Sequence, residues 1–320
     1  MKNATFWKII TIFARKLSEL GMKTKTLLVI LGPTGVGKTE LSLQIAERFG
    51  SPIISADSRQ IYRDIPICTA AATPEQQSRV RHYFVGTHAL DQNFSAAQFE
   101  IETMALLEHL FTELDTVVMT GGSMMYIDAV VKGIDDMPDV DPYVRASVRE
   151  QYNNDGLEPL LAQLRLLDPD YYARVDKRNT QRVIHGVEMC LSTGRPFSSF
   201  HTGERKERPF RIVQVGLQRD RQELYQRIDQ RVQQMLDGGL EAEARRVLPM
   251  RHLNSLNTVG MKEMFLYFDG IYTLGQAQER ICHNTHIYSK KQMTWFRRDK
   301  EIQWFHPLQT EEIMDFVGKM

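Results

Sequence analysis

The chain has 320 residues, 42 % apolar and 25 % charged, with 40 basic side chains balanced by 40 acidic ones. That composition excludes a disordered, collagen-like or disulfide-built protein and gives enough length for one large or two modest domains. Neutrality argues against an overall basic coat, yet a local basic face still suffices for a nucleic-acid partner.

Residues 1–22, "MKNATFWKIITIFARKLSELGM", are basic and partly amphipathic and precede a complete strand–loop–helix start. They read as a dispensable extension, with Met22 as an alternative start. "TLLVILG" is a short apolar run ended by glycine, a buried strand, and Lys38 to Phe49 follows with helical spacing. "SPIISADS" is a second strand running into a polar loop. "SAAQFEIETMALLEHLF" opens on a serine with Gln98 three residues on, a capping box leading a helix. "DTVVMTGGS" is a strand stopped by paired glycines, and "MMYIDAVV" continues helically. Strands alternating with helices predict an α/β fold: a parallel sheet with helices on both faces, of the P-loop type.

From the acidic, proline-bearing "GIDDMPDVDP" the texture changes, and residues 140–208 lack good strands. They predict an inserted all-helical domain between core segments 23–139 and 209–320. "FRIVQVGLQ" then restores a strand. "RQELYQRIDQRVQQMLDGG" is a long helix with Leu224, Ile228, Val232 and Met235 on one stripe, stopped at Gly238-Gly239. A last long helix starts at a Thr273 cap. The three cysteines, Cys68, Cys190 and Cys282, are odd in number and far apart, which fits a reducing, cytoplasmic compartment. No apolar run approaches the ~18 residues of a membrane span.

Gly32-Pro33-Thr34-Gly35-Val36-Gly37-Lys38-Thr39 matches G-x-x-x-x-G-K-[ST] between a strand and a helix. Glycines let backbone N–H groups turn inward, the helix N-terminus adds partial positive charge, Lys38 neutralises phosphate oxygens, and Thr39 holds Mg²⁺. The pattern establishes phosphate binding, not phosphoryl transfer. Asp57, Ser58, Arg59 and Gln60 lie just past the second strand's carboxyl end, where ligands bind in open parallel sheets. Asp57 is there a Mg²⁺ ligand, a general base or a turn cap. Cys282 and His286 in "CHNTH" share a helix face, but nothing supplies further ligands at zinc-finger spacing.

"GPTGVGKTEL", "IISADSRQIYRDI", "FSAAQF", "TGGSMMYIDAVVKGI", "LDPDYYARVDKRNTQRVIHGVEMCLSTGRPFS", "GLEAEARRVL", "VGMKEM" and "KKQMTWFRRD" occur in this order. Together, from Leu27 to Phe305, they resemble the tRNA dimethylallyltransferase family, the isopentenyltransferases. The resemblance implies that the phosphate loop grips the diphosphate of dimethylallyl diphosphate as a leaving group. The prenyl chain passes to the exocyclic amine of the adenosine 3′-adjacent to the anticodon, in tRNAs reading codons that begin with U. By resemblance Asp57 is the base, Lys38, Thr39 and Mg²⁺ stabilise the departing diphosphate, and the Ser123 hydroxyl bonds the amine or bridging oxygen. A helix N-cap is the plainer role for Ser123.

Arg221 and Arg227 suit the diphosphate by their bidentate geometry, or else form a solvated helix face. The family's tRNA contacts carry over to Asp57, Ser58, Arg59, Gln60, Ser123, Arg145, Gln181, Arg182, Val183, Ile184, His185, Asn257, Thr258, Val259, Gly260, Met261 and Lys262. The tail "YSKKQMTWFRRDK" interleaves basic and aromatic residues, suiting stacking on RNA, or is an amphipathic helix with Met293 and Phe296 inward. The chain departs from the family pattern at Gly35-Val36, at Cys68 for a usual glycine, at Ala71 for lysine, at His185 for arginine and at Met261 for tyrosine. The expected partners are the tRNA anticodon arm and dimethylallyl diphosphate, with no membrane, acting as a monomer. Two other enzymes stay in view, a P-loop nucleotide or small-molecule kinase and prenyl transfer to free adenine nucleotide, beside a non-catalytic RNA-binding module.

Overall fold

The computed structural model describes residues 24–319, so the extension expected over 1–22 lies outside the described residues. The chain divides into two compact units: one holds residues up to Lys132 and from Glu207 onward, the other Gly133–Lys206.

The first unit runs β1 (Thr26–Leu31), α1 (Lys38–Phe49), β2 (Ile53–Ala56), α2 (Pro66–Thr69), α3 (Pro74–Arg79), β3 (His82–Tyr83), α4 (Ala96–Leu110), β4 (Thr116–Gly121) and α5 (Met124–Val131). After the second unit's helices α6 (Pro142–Asp155), α7 (Glu158–Leu167), α8 (Pro169–Arg174) and α9 (Thr180–Thr193), it resumes. There it forms β5 (Arg211–Leu217), α10 (Arg221–Asp237), α11 (Leu240–Val247), α12 (Met261–Phe268), α13 (Leu274–Phe296), β6 (Gln303–Phe305) and α14 (Thr310–Gly318).

Six parallel strands lie in the order β3-β2-β4-β1-β5-β6. β1 is central and buried along its whole length, as a strand covered on both faces must be. Its side chains alternate between two cores. Leu27, Val29 and Leu31 join Phe99, Tyr126, Met261, Ile281 and Phe296 on one face; Leu28 and Ile30 join Leu41, Ile45, Leu224, Ile228 and Ile313 on the other. Helices therefore cover both faces, as the alternating pattern predicts. Leu31 pairs with Gly121 and with Gly216, and Ala56 with Gly121, so four strand ends finish at one edge. At Gly121 a Cβ would lie 2.2 Å from the Ala56 carbonyl oxygen, so only glycine lets β4 end this close to β2.

Ser95 caps α4 through the Gln98 N–H, but the Gln98 side chain turns to Glu102, so half of the expected capping box forms. Thr273 and Gln276 make a complete box at α13. Buried Arg208 meets buried Glu100 at 2.7 Å, and breaking such a pair costs about 3–5 kcal/mol.

In the second unit, Asp141 caps α6 and Asp168 caps α8. Val148, Leu160, Leu164, Val183, Ile184 and Val187 form its core. The unit starts at Gly133, ahead of the expected boundary at 140, because the acidic stretch is tied to its far end: Thr202 bonds Asp135, and Lys206 bonds Asp136 at 2.9 Å. Among the described residues no helix is long and apolar enough to cross a membrane.

Candidate active site

The strand ends open into a cavity of about 720 Å³ in the first unit. The phosphate loop forms one side. α1 begins at Gly37, in the left-handed conformation (φ 109°), with no side chain capping it, so its first N–H groups stay available to an anion. Lys38 Nζ donates to the Gly32 and Pro33 carbonyls at 2.8 and 2.9 Å. Burial and the Arg231 cation push its pKa down to about 7, against the opposing pull of Asp57.

From the β2 end comes Asp57. Its Oδ1 accepts from the Arg59 and Gln60 N–H groups at 2.9 and 3.3 Å, so the turn-cap role is real. Its Oδ2 takes no hydrogen bond from the described residues and is left for other work. Ser123 at the β4 end is buried and opens α5, yet its hydroxyl does not cap the helix. It accepts from the Ser58 N–H at 2.8 Å and donates to Ser58 Oγ at 3.1 Å, locking the turn that carries Asp57.

Arg59 reaches across the cavity mouth to the Asn254, Ser255 and Asn257 carbonyls at 3.1, 2.9 and 3.4 Å. The predicted segments 57–60 and 257–262 thereby line the same cavity, through Asp57, Ser58, Arg59, Gln60, Asn257, Thr258, Val259, Gly260 and Lys262. Gln60 is engaged internally, with its Nε2 on the Thr69 and Ala70 carbonyls.

The structure corrects several expected contacts. Arg221 lies outside the cavity lining and sits over the Tyr225 ring, whereas Arg227 lines the cavity and donates to the Gly35 carbonyl at 2.9 Å. Val36 and Met261 are fully buried in the two cores, so neither side chain lines the cavity, while the loop role expected of the Val36 backbone is untouched. In the second unit Val183 and Ile184 belong to the core, which leaves Arg145, Gln181, Arg182 and His185 on the surface. Arg145 and His185 both face buried Glu188, at 3.9 and 3.7 Å. In the tail, Ser289, Gln292 and Phe296 turn inward while Met293 is only half-buried; Trp295 donates to Asp128 at 2.7 Å and is no free stacking platform. His286 contacts Asp229 at 2.8 Å and stacks on Tyr225.

Among the lining residues that no motif singled out are Arg231, Gln292 and Tyr288, the last two within the basic-aromatic tail. Arg231 donates to the Thr69 carbonyl at 3.3 Å and keeps a buried, unpartnered Nε. It follows Arg227 by one helical turn in "RIDQRV", a spacing that places both on one face. Gln292 accepts from the Thr34 N–H at 3.0 Å and donates to the Gly122 carbonyl at 2.8 Å, pinning the phosphate loop to the β4 end. Tyr288 brings a phenol whose pKa is pushed up to about 12 by burial and by the Asp57 charge.

The donor set is compatible with a hard divalent cation. The exposed Thr39 hydroxyl has no partner among the described residues, and Asp57 Oδ2 is unbonded. Among the described residues no three His, Cys, Asp or Glu side chains converge as a metal cage. Mg²⁺ takes few protein oxygens and completes its shell with water and substrate phosphate, so this sparse set fits it.

Residues 60–299 match the family model for IPP transferase. A tRNA dimethylallyltransferase 2 of Porphyromonas gingivalis is 64 % identical over 282 residues, 88 % of this chain and 94 % of its own. One from Parabacteroides distasonis is 61 % identical, covering 92 % and 98 %. Among solved structures, the full-length tRNA isopentenylpyrophosphate transferase of Bacillus halodurans is similar at a TM-score of 0.67 and 31 % identity, covering 92 % of this chain and 96 % of that one. A eukaryotic dimethylallyltransferase acting on tRNA shares the fold at a TM-score of 0.80 and 22 % identity, covering 92 % and 80 %. The chain is a transferase of the IPP transferase family, whose members move a prenyl and not a phosphoryl group, and that membership removes the kinase alternative.

Proposed function

We propose that this transferase moves the dimethylallyl group from dimethylallyl diphosphate to the exocyclic amine of the adenosine 3′-adjacent to the anticodon in tRNA, in the cytoplasm. One observation carries the reading: a single cavity joins a cationic phosphate cradle, a carboxylate with one unbonded oxygen and an apolar wall. A kinase would use the first two features as well, and it is the family match that sets it aside.

The diphosphate lies on the phosphate loop, against Lys38, Thr39, Arg227 and Arg231. Arg231 already donates to the Thr69 carbonyl, but its Nε–H is unsatisfied, and a phosphate oxygen is the partner it lacks; a buried donor left unmade is otherwise costly. Thr39 would hold Mg²⁺ beside the loop, and that ion would supply neutralising charge for the departing diphosphate. The amine nitrogen attacks the first carbon of the allylic chain, the carbon–oxygen bond to diphosphate breaks, and the amine proton passes to Asp57 Oδ2. An adenine amine is a weak nucleophile because its lone pair is delocalised into the ring, so proton removal must accompany attack. Ser58 and Ser123 hold the turn that aims Asp57. Arg59, Asn257, Thr258 and Lys262 receive the extruded base and its backbone, and Arg145, Gln181, Arg182 and His185 contact the tRNA from the second unit.

Purified protein, Mg²⁺ and dimethylallyl diphosphate incubated with unmodified tRNA test this. Nucleoside mass spectrometry is expected to find a prenylated adenosine next to the anticodon. Absence of that product with every tRNA tried contradicts the reading.

A further inference from the structure

Four carbonyls of the phosphate loop are held by cations. Lys38 takes those of Gly32 and Pro33, Arg227 takes that of Gly35, and Arg219 Nε donates to that of Val36 at 2.8 Å. Lys38 and Arg227 also line the cavity. Arg219 does not: its side chain is buried outside the lining, where a Cβ added to Gly37 would lie 3.5 Å from its Nη2. Arg219 follows the end of β5, and the pairing of Leu217 with Phe305 brings His306 to the same edge. Glu223, in the first turn of α10, pairs with the Arg219 guanidinium, and His306 Nε2 contacts the other Glu223 oxygen at 3.3 Å. The guanidinium is therefore clamped from one side and spends its Nε on the loop. In a trans peptide the C=O and N–H point opposite ways. Anchoring the Val36 carbonyl on Arg219 thus turns the Gly37 N–H toward the cavity that Gly37 lines. That N–H has no protein partner among the described residues.

We propose that Arg219 is a positioning residue for prenyl transfer: by anchoring the Val36 carbonyl from behind the loop, it aims the Gly37 N–H at the diphosphate. This rests on the reading of the loop as the diphosphate cradle. Neither Gly35 nor Val36 carries a polar side chain to brace the peptide from within, and a glycine at 37 gives it little intrinsic resistance to turning. A peptide that turns presents its carbonyl to the anion in place of its N–H, so attraction becomes repulsion. The loss is greatest where charge builds on the departing diphosphate, because a fixed donor is worth most in the transition state.

The test is steady-state kinetics with dimethylallyl diphosphate and unmodified tRNA, with inorganic diphosphate as inhibitor, beside urea melts. Arg219→Met is expected to raise the Ki of inorganic diphosphate by about 10-fold or more and to lower kcat by about 100-fold, with the KM for tRNA changed less than about 3-fold. Arg219→Lys, which keeps a donor for the Val36 carbonyl, is expected to recover about 10-fold of the lost kcat. Glu223→Gln removes the anion that clamps the guanidinium and is expected to move Ki and kcat in the same directions; it carries the test if Arg219→Met does not fold. A lowered urea midpoint with Ki and kcat unchanged, in whichever of these variants fold, overturns the proposal and leaves the cradle reading intact. A wild type that is not inhibited by inorganic diphosphate and prenylates no tRNA overturns both.

Discussion

Gln292→Leu tests whether the phosphate loop is positioned from the far end of the chain. The side chain is 2 % exposed and spans two backbone groups, the Thr34 N–H and the Gly122 carbonyl. Leucine fills similar space and bonds neither. The Gly122 carbonyl is buried and loses a partner, at about 1–3 kcal/mol. The Thr34 N–H borders the cavity, where water reaches it, so its loss adds less. The net destabilisation is about 2–3 kcal/mol, which moves a urea midpoint by roughly 1 M. The functional effect is larger than the stability effect implies, because a displacement of about 1 Å in a positioning element costs on the order of 100-fold in rate. Gln292→Glu separates the two bonds: it keeps an acceptor for Thr34 and sets a carboxylate against the Gly122 carbonyl. Urea melts with steady-state kinetics in dimethylallyl diphosphate are the assay. Gln292→Leu with an unchanged midpoint and unchanged kcat/KM refutes the reasoning.

Arg231→Gln is expected to raise the KM for dimethylallyl diphosphate by about 100-fold, as charge-assisted phosphate bonds of about 1.5–3 kcal/mol are lost, while Arg221→Gln changes it less than about 3-fold; equal effects contradict the placement of Arg221 outside the cavity. Lys38 has a folded pKa near 7 against 10.5 unfolded, so between these values the unfolded chain binds more protons and ligand-free stability rises with pH. Urea midpoints of wild type relative to Lys38→Met are expected to climb from pH 7 to 9, and a flat difference contradicts it. Binding of a diphosphate favours charged Lys38, so donor binding takes up a proton above pH 7 and weakens as pH rises, as titration calorimetry in buffers of different ionisation enthalpy measures. Arg208→Met is expected to destabilise by about 3–5 kcal/mol by leaving Glu100 buried without its guanidinium, read by thermal melting.

Local pattern carried the sheet and the phosphate loop. β1, β2, β4 and β5 are predominantly apolar runs ended by glycine or polar turns, and Gly32–Thr39 folds where its motif requires. β3 and β6, of two and three residues, are too short for any periodicity to register, and they exist because neighbouring strands supply their partners. At the site, motif residues identify a segment without telling which side chains turn inward. Val183 and Ile184 sit in a run expected to touch RNA, yet helix α9 sends them into its own core. Gln292 and Arg231 act through partners 258 and 162 residues away in sequence, and no local pattern encodes such a distance. Arg231 alone left a trace, its one-turn offset from Arg227.

The central claim is that Asp57 Oδ2 takes the amine proton while the loop holds a departing diphosphate. Single-turnover prenylation by Asp57→Asn, beside equilibrium binding of dimethylallyl diphosphate, tests it most directly. The expected result is a chemical step slowed by about 10²–10⁴-fold, the usual contribution of a general base, with donor affinity within a few-fold of wild type. A single-turnover rate equal to wild type contradicts the assignment of Asp57 as the base.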